Sequence, residues 1–180
     1  IRLSLVGSEM CIRDRRRAVY AGTFDPPTHG HLWLIEKAAS LFDALHVVVS
    51  DNAEKTYTYP LNIRIEMIKT ITSHLRNVHV EVFATGFLAD YAVNIGAEYL
   101  VRGMRTLKDY EYERTIRQIN ADIAPSVLSV FLMPPRKYAE ISSSLVRGLV
   151  GFKRWEEVIK PYVPEQIRKL MIEEFYKINQ

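Results

Sequence analysis

The 180-residue sequence contains one cysteine, Cys11. An intrachain disulfide and a cysteine-built zinc site are thereby excluded, and catalysis is left to other groups. The chain also lacks any run of 18 apolar residues, so no segment reads as a helix crossing a bilayer. Internal repeats, low-complexity tracts and domain linkers are absent too. An excess of one charge sign disappears once it is located. The formal net charge of +3 arises within residues 1–17, where Arg2, Arg13, Arg15, Arg16 and Arg17 outnumber Glu9 and Asp14; basic and acidic residues balance thereafter. A neutral body argues against a broad nucleic-acid surface. The leading segment does not have the order of a secretory signal either, because its short apolar stretch Leu3 to Val6 precedes the arginines. It is read as an extension outside the fold, unstructured or artefactual, with residues 18–180 forming one domain of a size that buries a single core.

What remains is an alternation of strand and helix patterns. Residues 18–21 read as a strand, and from Gly30 the apolar Leu32, Ile35, Ala38, Ala39 and Phe42 recur at helical spacing. Strands are expected at 45–50, 78–83, 99–102 and 127–133, and helices at 30–42, 62–75, 87–95 and 109–123, with two closing helices near 154–160 and 164–177. Serines 142 to 144 precede a helical apolar pattern and read as a helix start. This order predicts an α/β fold: a Rossmann-like, doubly wound, parallel five-stranded sheet with C-terminal helices.

Polar and cationic residues gather where strands end. Thr23 and His31 follow the first strand, Lys55 the second, Arg102 and Arg105 the fourth, and Ser142 to Ser144 the fifth. Open parallel sheets bind ligands at the carboxyl ends of their strands. Lys and Arg offset phosphate charge, and hydroxyls and helix-start amides donate to phosphate oxygens, so the set suits a polyphosphate.

Five blocks together carry a family resemblance: Gly22-Thr-Phe-Asp-Pro, Thr28-His-Gly-His31, Arg102-Gly-Met-Arg105, Asp109-Tyr-Glu-Tyr-Glu113 and Ile141-Ser-Ser-Ser-Leu-Val146. From Arg17 to about residue 150 the chain resembles the phosphopantetheine adenylyltransferases of the nucleotidylyltransferase superfamily. The Thr-x-Gly-His and Ile-Ser-Ser-Ser blocks belong to the wider superfamily, whereas the stretch from Arg102 to Glu113 points to the acceptor. The resemblance implies transfer of the adenylyl group of ATP to 4′-phosphopantetheine, giving dephospho-CoA and pyrophosphate, by in-line attack without a general base. It implies that His31 stabilises the transition state. It places Thr23, Phe24, His31, Gly103, Met104, Arg105, Glu113, Tyr138, Ala139, Glu140, Ile141, Ser142, Ser143 and Ser144 on the ATP side, and Thr23, Lys55, Leu88 and Arg102 on the acceptor side. Mg2+ is expected with ATP, held mainly by phosphates rather than by protein ligands. The resemblance further implies a homohexamer inhibited by coenzyme A; the substrates and the lack of an export signal make the cytoplasm the expected location, and the neutral body and the lack of a long apolar run make no nucleic-acid or membrane partner expected. Pro27 departs from the family's aliphatic residue, and Phe-Asp-Pro-Pro followed by His-Gly-His is similar to nicotinate or nicotinamide mononucleotide adenylyltransferases. That acceptor is the alternative, and a non-catalytic nucleotide-binding module is a second.

Several residues carry plainer readings as well. His29 is read as structural or merely near the ligand, and Asp25 as fixing its own loop through local backbone. Glu113 has the alternative of pairing with Arg114 or Arg117 at the surface, and Ser142 that of a helix cap. Arg64 follows Asn62 and Ile63, where the family shows an acidic pair. Trp33, Trp155, Tyr110 and Tyr112 are expected to pack.

Overall fold

The computed structural model describes residues 16–178 except residue 53. Most of the leading extension, residues 1–15, lies outside the described residues; Arg17 already belongs to the first strand. The elements in chain order are β1 (Arg17–Gly22), α1 (His29–Leu41), β2 (Ala44–Ser50), α2 (Leu61–Thr72), β3 (Val78–Phe83), α3 (Leu88–Asn94) and β4 (Tyr99–Gly103). There follow α4 (Leu107–Ile123), β5 (Leu128–Leu132), α5 (Arg136–Ala139), α6 (Ser143–Leu149), α7 (Trp155–Val158) and α8 (Glu165–Ile178). The five strands form one sheet in the order β3-β2-β1-β4-β5, and every pairing is parallel. This is the expected doubly wound architecture, with β1 in the centre.

Strand alternation divides the core in two. Ala18 and Tyr20 of β1, with Leu45, Val47 and Val49 of β2, face a large cluster supplied by α1, α2, α6, α7 and α8. Val19 and Val48 point the opposite way, into a smaller cluster of Ala89, Ala92, Ala97, Leu100, Ala124 and Val127 beneath α3 and α4. Burial holds α1 more than its cap does. Leu34, Ile35 and Ala38 are buried, and each large apolar side chain contributes about 1.5–3 kcal/mol, against about 1 kcal/mol for a cap.

Three local differences from the sequence reading have physical causes. The fourth helix opens at Leu107 because Thr106 caps it, its hydroxyl accepting from the Asp109 amide. The single helical turn of α5 is too short to show periodicity, and it replaces an expected loop. The helix expected at 154–160 is reduced to α7, preceded by Arg154 in the left-handed region at φ 64°. Trp155 packs against Phe175 as expected, and Trp33 is partly buried. Tyr110 and Tyr112 do not pack: they stand 48% and 60% exposed on α4.

Candidate active site

A cavity of about 360 Å³ opens at the carboxyl ends of β1 and β4. Its first wall is the loop from β1 into α1. Thr28 caps α1, and a reciprocal pair forms: the Thr28 hydroxyl accepts from the His31 amide, while the Thr28 amide donates to His31 Nδ1 at 3.0 Å. A backbone N–H can only donate, so Nδ1 carries the lone pair and neutral His31 holds its proton on Nε2. Burial, aided by the Arg105 charge, lowers the His31 pKa to about 4. At neutral pH the side chain lining the cavity is thus an uncharged donor.

The same loop is pinned from several directions. Phe24 sits at φ 49° and lays its buried ring edge-on against His31 and Tyr20, at centroid distances of 5.3 and 5.6 Å. A Cβ at Gly22 would come within 2.9 Å of that ring, so any side chain there would force the buried ring to shift. Asp25 is buried, and its carboxylate accepts from the amides of Thr58 and Tyr59, each at 2.9 Å. The expectation that Asp25 fixes its own loop is corrected: it binds a distant one. Its backbone carbonyl accepts from Arg147 Nη1.

The second wall is the end of β4 and the first turns of α4. Arg102 binds Glu113 through two bonds, Nε to Oε2 at 2.8 Å and Nη2 to Oε1 at 2.7 Å. Burial opposes the Arg102 charge, but this carboxylate outweighs it and raises the arginine's pKa. The alternative of Glu113 as a surface residue paired with Arg114 or Arg117 is overturned, because Glu113 is buried and faces the cavity. Arg105 reaches Asp109 through its amide and Nε, and donates through Nη1 to the Ile141 carbonyl at 2.8 Å. At Gly103 an added Cβ would lie 2.6 Å from Leu34, so its absence lets α1 approach β4.

The third wall is the start of α6. Ser142 accepts from the Leu145 amide, which confirms the cap, and it also lines the cavity. Ser143 donates to the Pro26 carbonyl at 2.8 Å, and Ser144 accepts from Arg147. Thr23, His31, Arg102, Gly103, Arg105, Glu113 and residues 141–144 are therefore brought to one cavity.

The remaining candidates lie outside its lining. Phe24 stands behind His31, and the Met104 amide donates to Leu132. Tyr138 stacks on His29 at 6.0 Å, with Ala139 half-buried and Glu140 exposed beside it. His29 is thus a neighbour of the site, and burial, with Lys137, lowers its pKa. Lys55 is exposed in the loop after β2, and Leu88 opens α3 after β3.

Tyr20, Thr28 and Arg147 also line the cavity, although they were not singled out as site residues. Arg147 follows Ser143 by one helical turn, a spacing that places both on one face. Burial pushes the Tyr20 hydroxyl's pKa upward, so it remains protonated. Among the described residues no group of three or more His, Cys, Asp and Glu is arranged to hold a metal, and both Glu113 and Asp109 are paired with arginines.

The sequence pattern of the family described as Cytidylyltransferase-like matches residues 19–149. A phosphopantetheine adenylyltransferase from Chromobacterium violaceum is 49% identical over 157 residues, which cover 87% of this chain and 96% of that protein. One from Neisseria meningitidis serogroup C is 50% identical over 164 residues, covering 91% and 96%. Among solved structures, a Plasmodium falciparum nicotinic acid mononucleotide adenylyltransferase complexed with NaAD aligns with a TM-score of 0.64 at 16% identity, covering 89% of this chain and 96% of that one. That likeness shows the fold alone.

Proposed function

Because this chain belongs to the phosphopantetheine adenylyltransferase family, we propose that its cavity transfers the adenylyl group of ATP to 4′-phosphopantetheine. An oxygen of the acceptor's phosphate bonds to the α-phosphorus of ATP, the bond from that phosphorus to the bridging oxygen breaks, and pyrophosphate leaves as dephospho-CoA forms. The nucleophile is already an anion near neutral pH, since the second pKa of a phosphomonoester is about 6. No side chain has to take a proton from it.

One observation carries this reading: the Thr28 amide occupies His31 Nδ1, which leaves Nε2–H as the group offered to the cavity. A neutral donor with a pKa of about 4 is suited to receive developing charge on phosphoryl oxygens and unsuited to act as a base. Arg102 and Arg105 supply positive charge from the opposite wall, and Thr23 adds a hydroxyl. The family's acceptor-side positions Lys55 and Leu88 lie after β2 and β3, at the same end of the sheet as the cavity. This supports an acceptor arm running from Arg102 along those strand ends, with the ATP-side residues between α1 and α6.

Mg2+ enters as part of the nucleotide substrate. With the nearby carboxylates engaged by arginines, phosphate and water oxygens are its natural ligands. A cytoplasmic homohexamer subject to coenzyme A inhibition completes the proposal. An interface between copies is supported by Tyr112 and Ile119, exposed seven residues apart on one face of α4, and light scattering of the purified protein measures it. No described helix is long and apolar enough to cross a membrane.

The test is pyrophosphate release from ATP and Mg2+ with either 4′-phosphopantetheine or nicotinate mononucleotide. Turnover is expected with the first. Turnover only with the second would overturn the acceptor, and none with either would leave a nucleotide-binding module.

A further inference from the structure

Arg64 is completely buried in α2, lines none of the cavity described above, and yet holds four acceptors at once. Its Nε donates to the Tyr59 carbonyl at 3.0 Å, and Nη1 to the carbonyls of Thr23 at 3.0 Å and Ser50 at 2.8 Å. Nη2 donates to Asp51 Oδ1 at 2.6 Å, and the ring of Tyr57 lies 3.9 Å from the guanidinium carbon. These partners come from three places: the loop after β1, the end of β2, and the approach to α2.

Burying a charge is costly, and an apolar side chain of similar length would fill such a position in a core without that cost. What the guanidinium adds is geometry, because its rigid planar fork presents donors in fixed directions, which an ammonium on a flexible stem does not. Asp25 makes the reverse connection. It projects from the loop after β1 and takes the amides of Thr58 and Tyr59. The two loops are thus cross-linked twice, once by a cation reaching backbone carbonyls and once by an anion reaching backbone amides. Phe24, in its left-handed conformation, lies between Thr23 and Asp25, the two tethered residues; an uncommon backbone geometry persists when its surroundings over-determine it in this way.

We propose that Arg64 is a positioning residue for the transfer reaction, locking the Thr23 loop and the segment that carries Lys55 into one rigid body. The proposal rests on the adenylyl-transfer reading, in which Thr23 serves both substrates and Lys55 the acceptor. Its effect is to set the distance between nucleophile and α-phosphorus without touching either.

Arg64→Lys retains the charge and loses the fork. Turnover per folded molecule is expected to fall about tenfold to a hundredfold, the scale on which small misplacements act, with KM for ATP and acceptor changing by less than about threefold. Amide hydrogen exchange should quicken together at Thr58 and Tyr59 and at Phe24 and Asp25. Asp51→Asn, which weakens only the Nη2 contact, should give a smaller loss of the same kind and covers the case in which Arg64→Lys does not fold. Ile71→Ala, in the same helix and the same core, is the structural control: it should lower Tm and leave turnover per folded molecule unchanged. The proposal is overturned if Arg64→Lys or Asp51→Asn matches the parent protein per folded molecule, or if Ile71→Ala loses turnover in parallel with them. A parent protein inactive with both acceptors would instead overturn the adenylyl-transfer reading. Exchange would then decide the locking, with unchanged rates in the two segments counting against it.

Discussion

The two principal walls of the cavity are polar in opposite ways. On the β1 side, His31 is held by the Thr28 amide, Asp25 by the Thr58 and Tyr59 amides, and the Thr23 carbonyl by Arg64. These bonds bind the wall to the protein's own backbone, and a ligand has nothing to exchange with them. On the β4 side, Arg102 and Arg105 are held by the carboxylates of Glu113 and Asp109, anions that a phosphate can rival. The contrast assigns different work to each wall. A preorganised wall meets charge as it develops, whereas a wall whose cations can change partners recognises charge that arrives.

The contrast can be broken most severely at His31. His31→Ala removes the Nε2–H donor, and turnover should fall about 10²–10³-fold, with the KM for ATP moving by less than about threefold. Steady-state pyrophosphate release measures both, and equal losses in the two would erase the distinction between the walls. Arg102→Met should act in the reverse sense. The acceptor's KM is expected to rise about tenfold to a hundredfold while kcat stays within a few-fold, since a charge-assisted hydrogen bond contributes about 1.5–3 kcal/mol. Asp25→Asn sharpens the claim that the first wall is tied to the fold: loosening contacts to two backbone amides should cost about 1–3 kcal/mol in urea unfolding. The smallest effect is one of pH. As pH falls from about 6.5 toward 4, the unfolded chain takes up a proton at His31 that the folded chain refuses, so folding stability declines through that window. Between pH 7 and pH 5.5 His31 accounts for about 1 kcal/mol of this decline, a share that His31→Asn should remove in paired urea melts while that of His29, whose pKa is lowered too, remains.

The first wall's key residue was legible because its determinants are local. Strand, glycine turn, threonine cap and helix start succeed one another within residues 18–31, and the periodicity that marks them is the one that builds β1 and α1. The partners that hold the wall were not legible. Asp25 and Arg64 bind backbone amides and carbonyls, which residues of almost every type possess, so no side-chain pattern announces them. The second wall was half legible: Arg102 and Glu113 could both be nominated, but their pairing depends on how α4 leaves β4. Tyr110 and Tyr112 show another limit. Residues two apart on a helix do not share a face, so no single apolar stripe gathers both, and neither joins the small alanine-rich core under α3 and α4.

The central position of β1 also sets a timetable. Tyr20 pairs with Val47 on one side and with Val101 on the other. At the ribosome's rate of about 5–20 residues per second, roughly 4–16 s separate the synthesis of Tyr20 from that of Val101. Until Val101 is made, β1 has no partner for its β4 side, and unpaired strand edges are the feature through which incomplete chains pair wrongly with one another. The strand at the centre of the mature sheet is thus one that has to wait for its second partner.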